Sequence, residues 1–313
     1  MHRREFVGAC AGAALSAAAG SSCAALPLPA PAEADGLPFP LTIMLWTVYR
    51  DLPFFQRLEK IAEAGYHAVE LVGEFKDWKA QDFAESRRKK KDLGIEFDAT
   101  TGVGLPLTDA SAREPFLKAL RDFIPTMREL ECTRLIVLSG NKIPSLTQAE
   151  MHANCLETLK RAGDIAAENN IEILLENIDP EENPKYFLTS CAEGFEIIRS
   201  IGNPHVKFLY DLFHEQIAEG NLIEKLEKNV DLVGLVHVAD VPGRHHPGTG
   251  EINYPNIYRK LAELRYSRYV AMEFLPLGDP VKEFREARDL AVSSVRSARA
   301  AHSFESGRKH ESA

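Results

Sequence analysis

The sequence predicts a single (β/α)8 barrel (a TIM barrel) in residues 41–302, preceded by an export signal. Eight short segments that are apolar almost throughout alternate with longer amphipathic segments, which is typical of a parallel sheet covered by helices on the outside. The first apolar segment is not followed by the glycine-rich G-x-G-x-x-G turn of dinucleotide-binding folds. Together these observations favour a closed barrel over an open, doubly wound sheet.

The N-terminal residues 1–34 have the features of a twin-arginine-type signal peptide and linker. Arg3 and Arg4 precede an apolar stretch of small residues at 8–20, which is the order of charge and apolarity in export signals. We therefore expect an exported, periplasmic protein. Two alternatives stay open: a lipid anchor on Cys23, which lacks the usual aliphatic residue three positions before it, and an unstructured Ala-rich tail.

The predicted barrel then follows in eight strand-and-helix units. The predicted strands lie at 41–46, 67–72, 95–101, 134–139, 171–176, 206–211, 233–239 and 268–274. The segments between them carry apolar residues at helical spacing, as at Phe54, Leu58 and Ile61, before a helix-ending glycine, Gly65. The polar residues 303–313 are expected to form a tail after the barrel.

Composition excludes several classes of partner. The chain has 46 acidic and 37 basic residues and a formal net charge of −9. Nucleic acid is therefore not expected as a partner, because its phosphates bind to a basic protein face. After the N-terminal segment no run of 18 apolar residues occurs, so no transmembrane segment is expected. Cys132, Cys155 and Cys191 lie in no metal-binding spacing, and free thiols are expected.

Four consecutive predicted strands, the fifth to the eighth, each deliver one ionisable residue near the C-terminal end. They are Glu176, Asp211, His237 and Glu273. Reactive groups of such barrels lie at this end, and neighbouring strands are only about 4.8 Å apart. Carboxylates grouped so closely would repel one another without a cation. The sequence therefore predicts a divalent metal site, with Mn²⁺ or Mg²⁺ favoured, Co²⁺ suitable, and Zn²⁺ less so.

Three further residues are candidates for binding a substrate. His214 lies just past the sixth strand and could bind a substrate oxygen, or it could be a capping or surface histidine. Arg244 lies in a loop rich in Gly and Pro and could clamp a carboxylate or phosphate, or pair with Asp240 or Glu251. Trp46 could plug the barrel or stack on a sugar.

The segment HVADVPGR-HH-PGTGEINY at 237–254 resembles hydroxypyruvate isomerases of the xylose isomerase-like TIM barrel superfamily of sugar phosphate isomerases and epimerases. Leu-Glu-Asn at 175–177, Tyr-Asp-Leu-Phe-His at 210–214 and Met-Glu-Phe at 272–274 are similar to the other site segments of that family. The resemblance covers about residues 41–298.

The resemblance implies a metal-dependent isomerase in which Glu176 and Glu273 are both metal ligands and the acid/base pair. His214 and Arg244 would hold oxygens of an α-hydroxy carbonyl substrate, either hydroxypyruvate or a ketose or keto sugar, and proton transfer would pass through an enediolate. His237 stands where hydroxypyruvate isomerases tend to have Gln and ketose 3-epimerases have His.

Three other functions stay open: a sugar 3-epimerase, a lyase on keto sugars, and a non-catalytic exported sugar-binding protein. A DNA phosphodiesterase would need several metals, further histidines and a basic groove, which this sequence does not offer. Barrels of this kind often form dimers, so a homodimer is compatible with the prediction.

Overall fold

The computed structural model describes residues 36–311, and the side chains of residues 36–297. Eight parallel strands close into one barrel in sequence order, with β1 pairing with β8. The predicted barrel is thus confirmed. The predicted signal peptide, with Cys23, lies outside the described residues.

Each strand lies within the segment predicted for it. The strands are β1 Leu41–Met44, β2 Ala68–Leu71, β3 Glu96–Thr100, β4 Arg134–Leu138, β5 Glu172–Glu176, β6 Val206–Asp211, β7 Val233–Val238 and β8 Val270–Met272. Six of the strands end one or two residues earlier than predicted, and two candidate site residues therefore lie in the connections. Trp46 lies in a short 3₁₀ turn, Leu45–Thr47, and Glu273 directly follows β8. Apolar residues continue past the points where the backbone leaves the ladder, so the sequence pattern overstates strand length.

Helices connect the strands on the outside of the barrel. They are α1 Phe54–Glu63, α2 Ala80–Leu93, α3 Arg113–Leu130, α4 Gln148–Asn169, α5 Cys191–Ile201, α6 Leu212–Ala218, α7 Leu222–Asn229, α8 Tyr254–Glu263 and α9 Pro280–Glu311. The last helix continues past residue 302, the expected end of the barrel, into the polar segment 303–313. Within residues 36–311, no helix combines the length and apolarity that a bilayer span requires.

Two apolar layers support the site. Buried side chains of the helices pack against the outer face of the barrel, and Gly194 allows α5 to approach β6 closely, because a Cβ there would lie 2.2 Å from the Phe208 ring. Inside the barrel, residues such as Ile136, Leu174 and Leu209 form a separate apolar cluster. This cluster closes the barrel beneath its C-terminal mouth. Cys132, Cys155 and Cys191 are buried and free, as expected.

Candidate active site

The structure brings the four predicted metal ligands to one point at the barrel mouth. Glu176 ends β5, Asp211 ends β6, His237 lies on β7 and Glu273 follows β8. One ligand atom from each lies within 4.8 Å of the others, and all four residues are buried. The strand register produces this convergence, since Asp211 and His237 are ladder partners on neighbouring strands.

The two carboxylate oxygens of Asp211 have different surroundings: one caps a helix and the other forms no hydrogen bond within the described part of the chain. Its Oδ1 accepts hydrogen bonds from the backbone N–H groups of Phe213 and His214, at 2.7 and 3.1 Å, and so caps the start of α6. Its Oδ2 is buried and has no hydrogen-bond partner among the described residues. A buried acceptor without a partner costs about 1–3 kcal/mol. A bound cation would satisfy this atom.

His237 is held between the cluster and a fifth acidic residue. Its Nδ1 lies 2.9 Å from Glu273 Oε2 and 3.8 Å from Glu176 Oε1. Its Nε2 lies 3.0 Å from Oε2 of Glu70, a buried residue of β2. Carboxylates commonly hold the second nitrogen of a metal-bound imidazole in this way. Sequence reasoning did not single out Glu70.

The pKa values of the cluster reflect its crowding. Burial raises the pKa of Glu176 to about 8; the charge of His237 opposes this rise, and the charges of Glu273 and Asp211 add to it. Burial also raises the pKa of Glu273, but the positive charges of Arg244 and His237 hold it well below its usual range. Negative charges that crowd one another in a buried site are stabilised by a cation. The donor set therefore fits a divalent metal ion.

His214 is buried beside the cluster and is neither a surface histidine nor a capping group. Its Nδ1 lies 2.6 Å from Asp179 Oδ2, and its Nε2 lies 3.5 Å from the unpartnered Oδ2 of Asp211. Burial lowers the pKa of His214, but the charge of Asp211 and the hydrogen bond with Asp179 together raise it to about 9. Asp179 thus orients the imidazole toward the site.

Arg244 is buried at the barrel mouth, between two aromatic rings and two carboxylates. Its guanidinium carbon is 4.7 Å from the centroid of the Phe213 ring and 5.3 Å from that of the Trp46 ring. Its Nη2 lies 2.7 Å from Glu273 Oε2, and its Nη1 lies 2.8 Å from Glu182 Oε2. The guanidinium is therefore placed by two aromatic rings and two carboxylates next to the predicted ligands.

The loop after β7 is folded around the Asp240 carboxylate. This fold places Arg244, which lies in the same loop, at the barrel mouth. The carboxylate of Asp240 accepts four backbone hydrogen bonds, from the N–H groups of Val241, Gly248, Gly250 and Ile252. Gly250 is required here, since a Cβ would lie 2.1 Å from the Val241 carbonyl oxygen. The alternative in which Arg244 pairs with Asp240 or Glu251 is wrong, because the loop occupies Asp240 and Glu251 accepts from Gln216 Nε2.

Trp46 contacts the cluster directly. Its Nε1–H donates a hydrogen bond of 2.7 Å to Glu273 Oε1. Glu273 therefore has one oxygen held by the indole, while the other lies close to His237 and Arg244. The hydrogen bond thus holds a predicted catalytic carboxylate in place, and the roles of barrel plug and of sugar-stacking platform stay predictions.

Known proteins share this fold, and several of them are similar to this chain in sequence. The family model for xylose isomerase-like TIM barrels matches residues 58–293. The chain belongs to this family. It is 33% identical over 246 residues to a putative hydroxypyruvate isomerase from humans, covering 72% of this chain and 85% of that protein. It is 28% identical over 242 residues to a 2-oxo-tetronate isomerase from Pectobacterium atrosepticum, covering 74% of this chain and 90% of that protein.

Among solved structures, the fold is similar to that of a 3-keto-D-glucoside 4-epimerase from Escherichia coli. The TM-score is 0.68 with 19% sequence identity, and the match covers 82% of this chain and 99% of that one. The sequence relatives confirm two predictions, that of a hydroxypyruvate isomerase-like family member and that of an isomerase. These relatives are named as isomerases, and this chain matches them over most of their length.

Proposed function

We propose that this member of the xylose isomerase-like family is a divalent-metal-dependent isomerase of an α-hydroxy carbonyl compound, either hydroxypyruvate or a ketose or keto sugar. The observation that carries the proposal is the convergence of three carboxylates and one imidazole within 4.8 Å in a buried site. Three oxygen donors and one nitrogen donor suit Mn²⁺ or Mg²⁺ best, and they also accept Co²⁺ or Zn²⁺.

The metal would be held by Glu176, Asp211, His237 and Glu273, and when bound it would supply polarisation of the substrate carbonyl. The chain's own residues perform the proton transfer. Glu176 comes from β5 and Glu273 follows β8, three strands apart around the barrel, so their carboxylates reach a bound substrate from different sides. One glutamate accepts the α-proton and the substrate becomes an enediolate.

The destination of the proton decides the product. Return to the adjacent carbon by the same or the other glutamate, with transfer of the hydroxyl proton to the former carbonyl oxygen, gives an isomerisation between aldehyde and ketone. Return to the original carbon on its opposite face gives epimerisation. Arg244 and His214 lie beside the cluster and would hold substrate oxygens, the guanidinium being suited to a carboxylate or to adjacent oxygens. Burial of all these groups excludes water, which strengthens each electrostatic contact.

A keto-sugar 3-epimerase or lyase is the second candidate, because it would use the same residues and because an imidazole, His237, occupies the position at which hydroxypyruvate isomerases tend to have Gln. We also propose, from the sequence of residues 1–34, that the protein is exported. Replacing both Arg3 and Arg4 by Lys is expected to keep it in the cytoplasm, as cell fractionation would show.

The test of the proposed reaction is solvent deuterium uptake. The Mn²⁺-loaded protein is incubated in D₂O with hydroxypyruvate, 2-oxo-tetronate, ketohexoses and 3-keto sugars. We expect deuterium at the carbon next to the carbonyl together with an isomeric product, and loss of both when the metal is chelated. Binding of a sugar without any deuterium uptake would instead indicate a non-catalytic binding protein.

A further inference from the structure

A second feature of the barrel mouth is a cavity beside the ligand cluster. A cavity of about 790 Å³ opens between the loops that follow β2, β3 and β4. Cavities of about 300–1,000 Å³ hold ligands of drug size. We call this cavity the distal pocket and define it by Val72, Val103, Ile136, Leu138, Asn141 and Asn183, which all line it.

The distal pocket shares its wall with the ligand cluster. Leu138, at the end of β4, is the ladder partner of Glu176 at the end of β5. Tyr186 also lines the pocket, and its hydroxyl donates to the backbone carbonyl oxygen of Glu176 at 3.3 Å. In the loop after β5, Glu182 faces Arg244, whereas the next residue, Asn183, lines the pocket. A molecule held at the cluster could therefore extend into the pocket.

The pocket combines an apolar wall with a polar rim. Leu138 is 44% exposed, although it ends a barrel strand beside a predicted catalytic residue. An exposed leucine at the mouth of an active site offers contact to an apolar part of a ligand. On the rim, the Asn183 side-chain amide donates to Asn141 Oδ1 at 2.9 Å. The ammonium groups of Lys76 and Lys142 form no ion pair with any residue in the described part of the chain.

We propose that the distal pocket binds a sugar ring attached to the reacting keto unit, so that the substrate is a keto glycoside or a ketose-containing disaccharide. A sugar ring has an apolar C–H face, which suits Leu138 and Ile136, and hydroxyl groups, which suit the amides and ammonium groups of the rim. A keto acid of three or four carbons would occupy the cluster alone and leave the pocket unfilled. The inference rests on the proposed function, which places the reacting carbons at Glu176 and Glu273.

The test compares two ketoses that differ only by the added ring. D-fructose and lactulose, in which a galactosyl unit is attached to fructose, are titrated by calorimetry into the full chain loaded with Mn²⁺. We expect lactulose to bind about tenfold more tightly, because the second ring buries further apolar surface. Leu138→Trp fills the pocket and should remove this preference. Leu277→Trp is the matched control, since Leu277 is 64% exposed and lies outside the pocket, and it should retain the preference.

Several results would overturn the inference. They are equal binding of lactulose and fructose, no measurable binding of either sugar, and an unchanged preference in Leu138→Trp. Tighter binding of D-fructose 6-phosphate than of lactulose would also overturn it, since the lysines would then bind an anion.

The two experiments distinguish a failure of the pocket proposal from a failure of the proposed function. Deuterium uptake by hydroxypyruvate without a lactulose preference rejects the pocket alone. A lactulose preference without deuterium uptake by hydroxypyruvate, 2-oxo-tetronate or any of the tested sugars supports the pocket and rejects the proposed isomerase reaction.

Discussion

The carboxylate of Glu70 and the imidazole of His237 lie 3.0 Å apart inside the barrel, on strands β2 and β7. This contact fixes which nitrogen of His237 is available to a metal, because Nε2 faces Glu70 while Nδ1 faces Glu176 and Glu273. A carboxylate in this position also makes the imidazole a stronger donor. The proposed metal site thus depends on a residue that belongs to the barrel interior rather than to its mouth.

The first prediction concerns this contact. Glu70→Gln keeps the shape of the side chain but removes its charge, and we expect metal affinity to fall by about 10- to 100-fold. Titration calorimetry with Mn²⁺ measures the change. Glu172→Gln is the control, because Glu172 is equally buried in the barrel but pairs with Arg268 at 2.6 Å, so its metal affinity should stay unchanged. An unaltered affinity in Glu70→Gln would show that the contact is only structural.

The second prediction concerns the two proposed acid/base residues. Glu176→Gln and Glu273→Gln should each reduce kcat by about 10²-fold or more at saturating metal, because an amide cannot accept the α-proton. Glu181→Gln, on an exposed turn next to the site, should retain full turnover. Near-normal kcat in either of the first two variants would remove that glutamate from the mechanism.

The third prediction concerns the indole hydrogen bond to Glu273. Trp46→Phe keeps an aromatic ring under Arg244 but loses the 2.7 Å bond from Nε1 to Glu273 Oε1. We expect kcat to fall by about 10- to 100-fold, since one hydrogen bond to a charged group contributes about 1.5–3 kcal/mol and each 1.4 kcal/mol is a factor of ten. Trp78→Phe, in an aromatic cluster away from the site, is the matched control. Equal kcat values in the two variants would mean that Trp46 does not orient the carboxylate.

The fourth prediction is a pH dependence of stability that arises at Asp98. Its Oδ1 accepts a hydrogen bond of 2.6 Å from Thr42, and its Oδ2 is buried without a partner among the described residues. Burial and the charge of Glu70 raise the pKa of Asp98 well above its usual range. The folded state therefore holds this proton at pH values where the unfolded chain, with a pKa of about 3.9, has lost it.

It follows that Asp98 weakens the fold as the pH rises above about 4 toward its pKa in the folded protein. Asp98→Asn should thus become more stable relative to the natural chain as the pH rises from about 4 toward neutrality. Urea unfolding at several pH values measures this difference. Asp122→Asn, on the exposed face of α3, should show no such trend, and a pH-independent difference for Asp98→Asn would contradict the assignment.

The fold and the four central residues could be predicted because both leave local signals in the sequence. Strands of a parallel barrel are covered on both sides, so β5 reads as an apolar run that ends in Glu176, and β6 reads as one that ends in Asp211. In a barrel all such strand ends face the same mouth. The pattern therefore specified which residues would meet without any knowledge of their distances.

The supporting residues could not be predicted, because their partners are set by the closed barrel. Glu70 and His237 are 167 positions apart, and no periodicity relates them. The one available signal was a charged residue inside the apolar strand β2. Asp179 and Glu182 lie in an irregular loop, where the Asp179 carboxylate accepts the N–H of Glu182 at 2.9 Å. Their approach to His214 and Arg244 depends on that turn, which carries no recognisable sequence pattern.

The most direct measurement is the metal content of the purified full chain compared with that of Asp211→Asn. The amide oxygen of Asn can still cap α6, so the variant should fold while losing the charged Oδ2 at the centre of the cluster. We expect one divalent cation per natural chain and loss of that cation in Asp211→Asn, with anomalous diffraction placing the ion between Glu176, Asp211, His237 and Glu273. Undiminished metal content in the variant, or an ion located elsewhere, would contradict the account.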